Sequence, residues 1–175
     1  MAYALEDFCQ DSRTILMSDA PIQNRIDKVA DKLKGLLTDP DFVAATFTEG
    51  MPAGKRELYH DPDLDFYVLA HVQEGGKRGT PHSHGASWAI YGNVNDFTRM
   101  REYRRVNPES EEGAVLAQSA EYDLRRGDTK GYGPGYIHST EHPQTCWVIR
   151  VTGTDLDKIE RYRFRKLRDR LLENA

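Results

Sequence analysis

Apolar positions change their spacing partway along the chain, and the change divides it in two. In the first fifty residues they recur at helical intervals. Ile22, Ile26, Val29, Leu33 and the Leu36/Leu37 pair fall on one face of a predicted helix that opens near Pro21, with Ser18 and Asp19 as candidate caps. Asp39-Pro40 breaks that helix and can start another, with Phe42, Val43 and Phe47 on its apolar side. Leu5, Phe8 and Cys9 mark a shorter helix before both. From about residue 54 the pattern becomes that of strands. Runs rich in β-branched and aromatic residues at 64–73, 86–94, 97–106, 114–125 and 145–152 are separated by Gly, Pro, Asp and Asn. Many short strands with regular turn signals predict a β-sandwich or barrel. The expectation is a helical cap over residues 1–53 on one all-β body over 54–175, forming a single integrated domain that ends in a strand or helix at 158–172.

Composition narrows the function classes. A chain of 175 residues is long enough to bury a core, and the net charge of −4 carries no general nucleic-acid signature. The locally basic stretch 161–170 reads as the solvated face of a terminal element. No apolar run reaches the roughly 20 residues that cross a bilayer, so no membrane partner is expected. The N-terminus lacks the basic start and apolar stretch of a signal peptide, and the expected location is cytoplasmic. Cys9 and Cys146 stand far apart, belong to no CxxC pair and read as small semi-buried residues. The sequence leaves the oligomeric state open.

Four of the six histidines fall in two short clusters. In Pro81-His82-Ser83-His84-Gly85, a strand would project His82 and His84 from one face, able to share an ion. In the second, the glycines of Gly131-Tyr-Gly-Pro-Gly135-Tyr-Ile-His138 permit a tight turn that delivers His138 toward a barrel interior. An HxH pair alone fits a polar surface pair as well; two clusters at this separation favour a shared metal. His142, held extended by Pro143, fits a pocket acid/base, a partner orienting a ligand, or a structural histidine. His71 lies in an apolar strand and reads as a hydrogen-bonded core residue. Trp88 is in phase with His84 and fits a pocket wall or the core; Tyr91 is out of phase.

The two clusters resemble the paired motifs of the cupin superfamily. Gly76 stands six residues before His82, His82-x-His84 follows, and Gly135-x-x-His138 matches the second motif, with the usual proline displaced to Pro134 and His142 at the usual asparagine position. The resemblance implies a double-stranded β-helix (a jelly-roll-like barrel) with an N-terminal helical segment. The glutamate that usually follows the HxH pair is missing from Gly85 to Ala89. A three-histidine set resembles cysteine dioxygenase and related thiol dioxygenases, and so implies Fe(II), with O₂ and a small thiol carboxylate or similar chelating anion as substrates. Zn, Ni or Mn stay open. By the same resemblance Arg56 would grip the substrate carboxylate; otherwise it is a surface arginine paired with Glu57 or Asp61. The sequence departs from that family at Ala89, in place of a cross-linked cysteine, and at Val148, Arg150 and Thr152, in place of a Ser-His-Tyr relay; Arg150 would instead bring a second cation into the pocket. A Lewis-acid isomerase or lyase and a non-catalytic, metal-dependent binding protein remain as alternatives.

Overall fold

A computed structural model describes residues 3–164. The expected strand or helix at 158–172 and the basic stretch 161–170 lie outside the described residues beyond residue 164. Three helices come first, α1 (Leu5–Leu16), α2 (Ile22–Thr38) and α3 (Pro40–Thr46). Nine strands follow: β1 (Gly54–His60), β2 (Tyr67–Gln73), β3 (Lys77–Arg78), β4 (Ala89–Asn93), β5 (Phe97–Arg105), β6 (Leu116–Arg125), β7 (Thr129–Tyr132), β8 (Ile137–His142) and β9 (Cys146–Thr152). Asp39 caps α3 as expected, accepting a hydrogen bond from the Phe42 amide at 2.9 Å. Pro21 itself is the N-cap of α2, so Ser18 and Asp19 do not cap that helix.

The strands form two antiparallel sheets, in the orders β1-β2-β9-β4-β7 and β3-β8-β5-β6. Within them β2 pairs with β9, β3 with β8, β4 with β7 and β5 with β6. The second half of the chain thus runs back along the first, and the resulting double ribbon is rolled into two sheets. That strand order is the eight-stranded jelly roll, or double-stranded β-helix, with β1 added at one edge. The fold expected from the sequence is therefore present in the strand pairing.

Burial explains why the β2 sequence YVLAHVQ is apolar without alternation: both of its faces are covered. Phe66, Val68, Ala70 and Val72, with Ile90, Ile149 and Val151 of neighbouring strands, pack against Ile26, Val29, Leu33, Leu36 and Leu37 of the helical layer. The opposite phase faces into the roll, where Ala89, Tyr91, Met100, Leu124, Tyr132, Cys146 and Val148 make a second core. Two glycines let α2 lie against the sheet. A Cβ at Gly131 would stand 2.4 Å from Ile26 Cγ2, and one at Gly92 2.7 Å from Leu37 Cδ1. Under the helices, Asp61 is fully buried and accepts two hydrogen bonds from Arg13 and others from Tyr59 and the amides of Asp63 and Leu64, which ties α1 to the loop after β1. No helix among the described residues is long and apolar enough to cross a membrane.

Candidate metal centre

His82 and His84 sit on the loop between β3 and β4 and not on a strand as expected, so side-chain alternation does not bring them together. Instead His82 forms an isolated antiparallel bridge with His138, its amide donating to the His138 carbonyl at 2.9 Å and its carbonyl accepting from the His138 amide at 3.0 Å. The chain then turns sharply at Gly85, whose φ of +58° and whose approach to the Glu160 carbonyl, 2.3 Å from a would-be Cβ, admit no side chain. Gly135 closes the other side, its amide donating to the Gly85 carbonyl at 2.9 Å. His138 is the second residue of β8 and fully buried.

The outcome is a convergent triad. One ring nitrogen from each of His82, His84 and His138 lies within 4.8 Å of the others. Ring centroids are 4.7–5.2 Å apart. His82 Nδ1 lies 3.0 Å from the Thr80 carbonyl, which fixes the proton there and frees Nε2 as a base. Burial holds all three unprotonated. It pushes His84 down to about 3, helped by His82, Arg150 and Arg161; it lowers His82, and His138 well below the ordinary histidine value.

Tyr91 completes the cluster. Its hydroxyl is 3.2 Å from His84 Nε2 and 3.1 Å from His138 Nε2. A phenol has one proton to give, and whether each of the two nitrogens accepts it or donates to the phenol oxygen depends on the imidazole tautomers. Three imidazoles crowded together, with His138 Nδ1 buried and without a hydrogen-bond partner among the described residues, make a donor set that a cation would satisfy. At about 2.1 Å per bond and tetrahedral angles, two imidazole nitrogens on one ion stand about 3.4 Å apart, so the widest separation, up to 4.8 Å, closes by as much as about 1.4 Å on binding. Side-chain rotation supplies that much, and the donor set fits Fe, Zn, Ni or Cu. Behind the triad runs a polar chain. The Tyr132 ring stacks on His138 at 4.4 Å, its hydroxyl meets that of Tyr122 at 2.8 Å, and Glu102 accepts from Tyr122 and from Tyr136 at 2.8 Å.

The other sequence-predicted residues are not brought to the triad. Arg56 lies opposite Ala70 in the β1–β2 register, on the phase that faces the helices. It is exposed, donates to the Thr46 carbonyl and lines a separate cavity of about 220 Å³ beside Phe47 and Met51. Neither Glu57 nor Asp61 pairs with it among the described residues. Trp88 packs into the helix-side core, across Gly153, whose would-be Cβ stands 2.5 Å from the indole nitrogen. It walls no part of the metal site. His142 does face into the roll, but its Nδ1 meets Thr98 Oγ1 at 3.2 Å and Cys146 Sγ at 3.3 Å, one full strand step beyond Thr140 from His138. His71 is buried as expected, yet its Nε2 has no hydrogen-bond partner, and burial pushes it down to about 2.

Two residues at the site were missed or only guessed. Tyr91 was assigned the wrong face because the turn at Gly85 resets the phase counted from His84. Arg150 shares the inward phase of Cys146 and Val148, and its guanidinium stands 4.8 Å over the Tyr91 ring. A cation on a phenol face is worth about 0.5–2 kcal/mol and fixes both groups.

Fold and site together define a double-stranded β-helix protein with a buried three-histidine cluster. No protein-family model and no curated protein matches the sequence. Solved structures do resemble the fold. A double-stranded β-helix protein from Klebsiella pneumoniae is 14% identical over 71% of this chain and 95% of its own, with a TM-score of 0.44. A cupin superfamily protein from Desulfitobacterium hafniense is 9% identical over 65% and 87%, at 0.45. A hydroquinone 1,2-dioxygenase, solved with Cd²⁺ and 4-hydroxybenzonitrile, is 15% identical over 59% and 66%, at 0.46.

Proposed function

We propose that His82, His84 and His138 hold one divalent ion, Fe(II), and that the protein is a dioxygenase acting on a small chelating anion, with thiol carboxylates in that class. The observation that carries the reading is the convergence of three unprotonated imidazoles in a buried site. Neutral ligands leave the ion its full charge, which favours an anionic chelate over a neutral one. When bound, ferrous iron supplies the O₂ chemistry that no side chain of the cluster can perform. The chain's own groups do the rest. Tyr91 holds a proton within hydrogen-bond reach of two ligand nitrogens, ready to donate to an oxygen of the bound substrate. The Tyr132 ring keeps the His138 imidazole in place. The apolar residues of the inner core exclude water from the reacting centre.

The test is oxygen uptake by the Fe(II)-loaded protein with a panel of thiol carboxylates and β-diketones. Uptake that depends on iron and is abolished by His84→Ala is expected. No uptake with any member of the panel, by protein that demonstrably holds iron, overturns the dioxygenase reading. A second reading, a Lewis-acid isomerase or lyase, draws on the same Tyr91 hydroxyl as a proton donor beside the ion. Native zinc, nickel or manganese with no iron favours it.

A further inference from the structure

Beside the triad, and sharing His82 with it, is a cavity of about 240 Å³ lined by Gly79, Thr80, His82, Arg150, Arg161 and Arg163. Among the described residues, three arginines and no acidic residue line this space, in a chain whose net charge is −4. Such crowding is unfavourable unless something anionic enters. Of the three, Arg161 has a counter-ion, Asp157 at 3.2 Å, and that carboxylate is shared with Lys55. Arg150 is different. It is half-buried, its Nε makes no hydrogen bond, and no acid among the described residues lies within ion-pair distance of it. Stacking on Tyr91 keeps the guanidinium fixed on the inward face of β9. Arg163 is held by its backbone, bridged to His82.

A planar fork with unspent donors, immobilised and desolvated on one edge, is suited to bidentate capture of an oxyanion. A divalent ion on the triad would add two further positive charges next door. A space of about 240 Å³, open to solvent on one side, accommodates the oxyanion group of a small metabolite against the arginines.

We propose that Arg150, Arg161 and Arg163 form an anion subsite, and that the substrate carries a carboxylate or phosphate at the end away from its metal-binding group. The link to catalysis rests on the metal reading above; the subsite itself does not. Binding is therefore measured on the metal-free full-length protein, by calorimetry with acetate, succinate, inorganic phosphate and phosphoglycolate at millimolar concentrations. Saturable binding of a dianion, weakened about tenfold or more by Arg150→Gln and less by Arg150→Lys, supports the subsite. Whether the carboxylates or the phosphates bind tighter identifies the group. Cobalt(II) binding is expected to be retained in Arg150→Gln, no weaker than in the parent, because no arginine is a ligand and a neighbouring positive charge is removed. If Arg150→Gln does not fold, the double variant Arg161→Gln/Arg163→Gln, on the exposed side of the cavity, carries the same comparison. Absence of saturable binding by all four anions, or binding that Arg150→Gln leaves intact, overturns the proposal. Anion binding without metal binding would instead sink the metal reading and leave this one standing.

Discussion

Acid should unfold the metal-free protein early, and histidines rather than carboxylates should be the cause. His71, His84 and His142 are each less than a tenth exposed and are pushed down to about 2, 3 and 4, in every case chiefly by burial. In the unfolded chain each returns to about 6.5. As pH falls below that value the unfolded state takes up protons that the native state refuses, so native stability drops. The drop continues until pH reaches the depressed native values. Each group contributes about 1.4 kcal/mol per pH unit, or about 2 kcal/mol between pH 7 and 5. These three alone remove about 6 kcal/mol, and His82 and His138, also lowered by burial, add to it, against a total stability of about 5–15 kcal/mol for a domain. Carboxylates with lowered values, such as Asp61 and Glu102, lose their contribution only as pH falls below the ordinary carboxylate range, so the pH 5–6.5 window isolates the histidines. Urea unfolding followed by circular dichroism in the presence of a chelator, at half-unit steps, measures the slope directly. His71→Leu deletes one titrating group of five without demanding a new polar partner, and should lower the slope by about a fifth to a quarter. Stability that stays flat from pH 7 to 5, or a slope that His71→Leu leaves unchanged, refutes the burial argument.

Two further predictions concern packing and the place of Arg56. Gly131→Ala forces a methyl to within 2.4 Å of Ile26 Cγ2 and should cost about 1–3 kcal/mol in urea unfolding as α2 is pushed off the sheet; a neutral result would mean the helix rides higher than described. Arg56→Ala should leave metal content and any oxygen uptake within about twofold of the parent, since its side chain lies on the helix-facing phase of β1. Loss of activity in a folded, metal-loaded Arg56→Ala protein would restore Arg56 to the site.

Much of this architecture is legible in the chain because it rests on periodicity. The i, i+3/i+4 run from Ile26 to Leu37 describes the buried face of α2, although Ile22 at its start is 38% exposed because the first turn overhangs the sheet. The apolar runs at 64–73, 97–106 and 145–152 mark β2, β5 and β9. The histidines were legible for another reason: glycines at 85 and 135 mark turns, and turns decide which residues the fold can converge. What periodicity could not supply was facing across breaks. Counting from His84 through the turn at Gly85–Ala86 put Trp88 inside and Tyr91 outside, the reverse of their places. Arg56 failed because β1 is an added edge strand, and its register against β2 is a tertiary fact. Arg161 and Arg163 read as a solvated basic run, and their approach to His82 depends on a backbone bridge between residues 82 and 163, far apart in the chain.

The central claim is that one divalent cation binds where the three imidazoles meet. Titration of the metal-free protein with cobalt(II), followed by its visible d–d absorption, tests it directly. One equivalent per chain is expected, with the spectrum lost in each of His82→Ala, His84→Ala and His138→Ala and retained in His142→Ala. Substoichiometric binding by the parent protein, or an unaltered cobalt spectrum in His84→Ala, would contradict it.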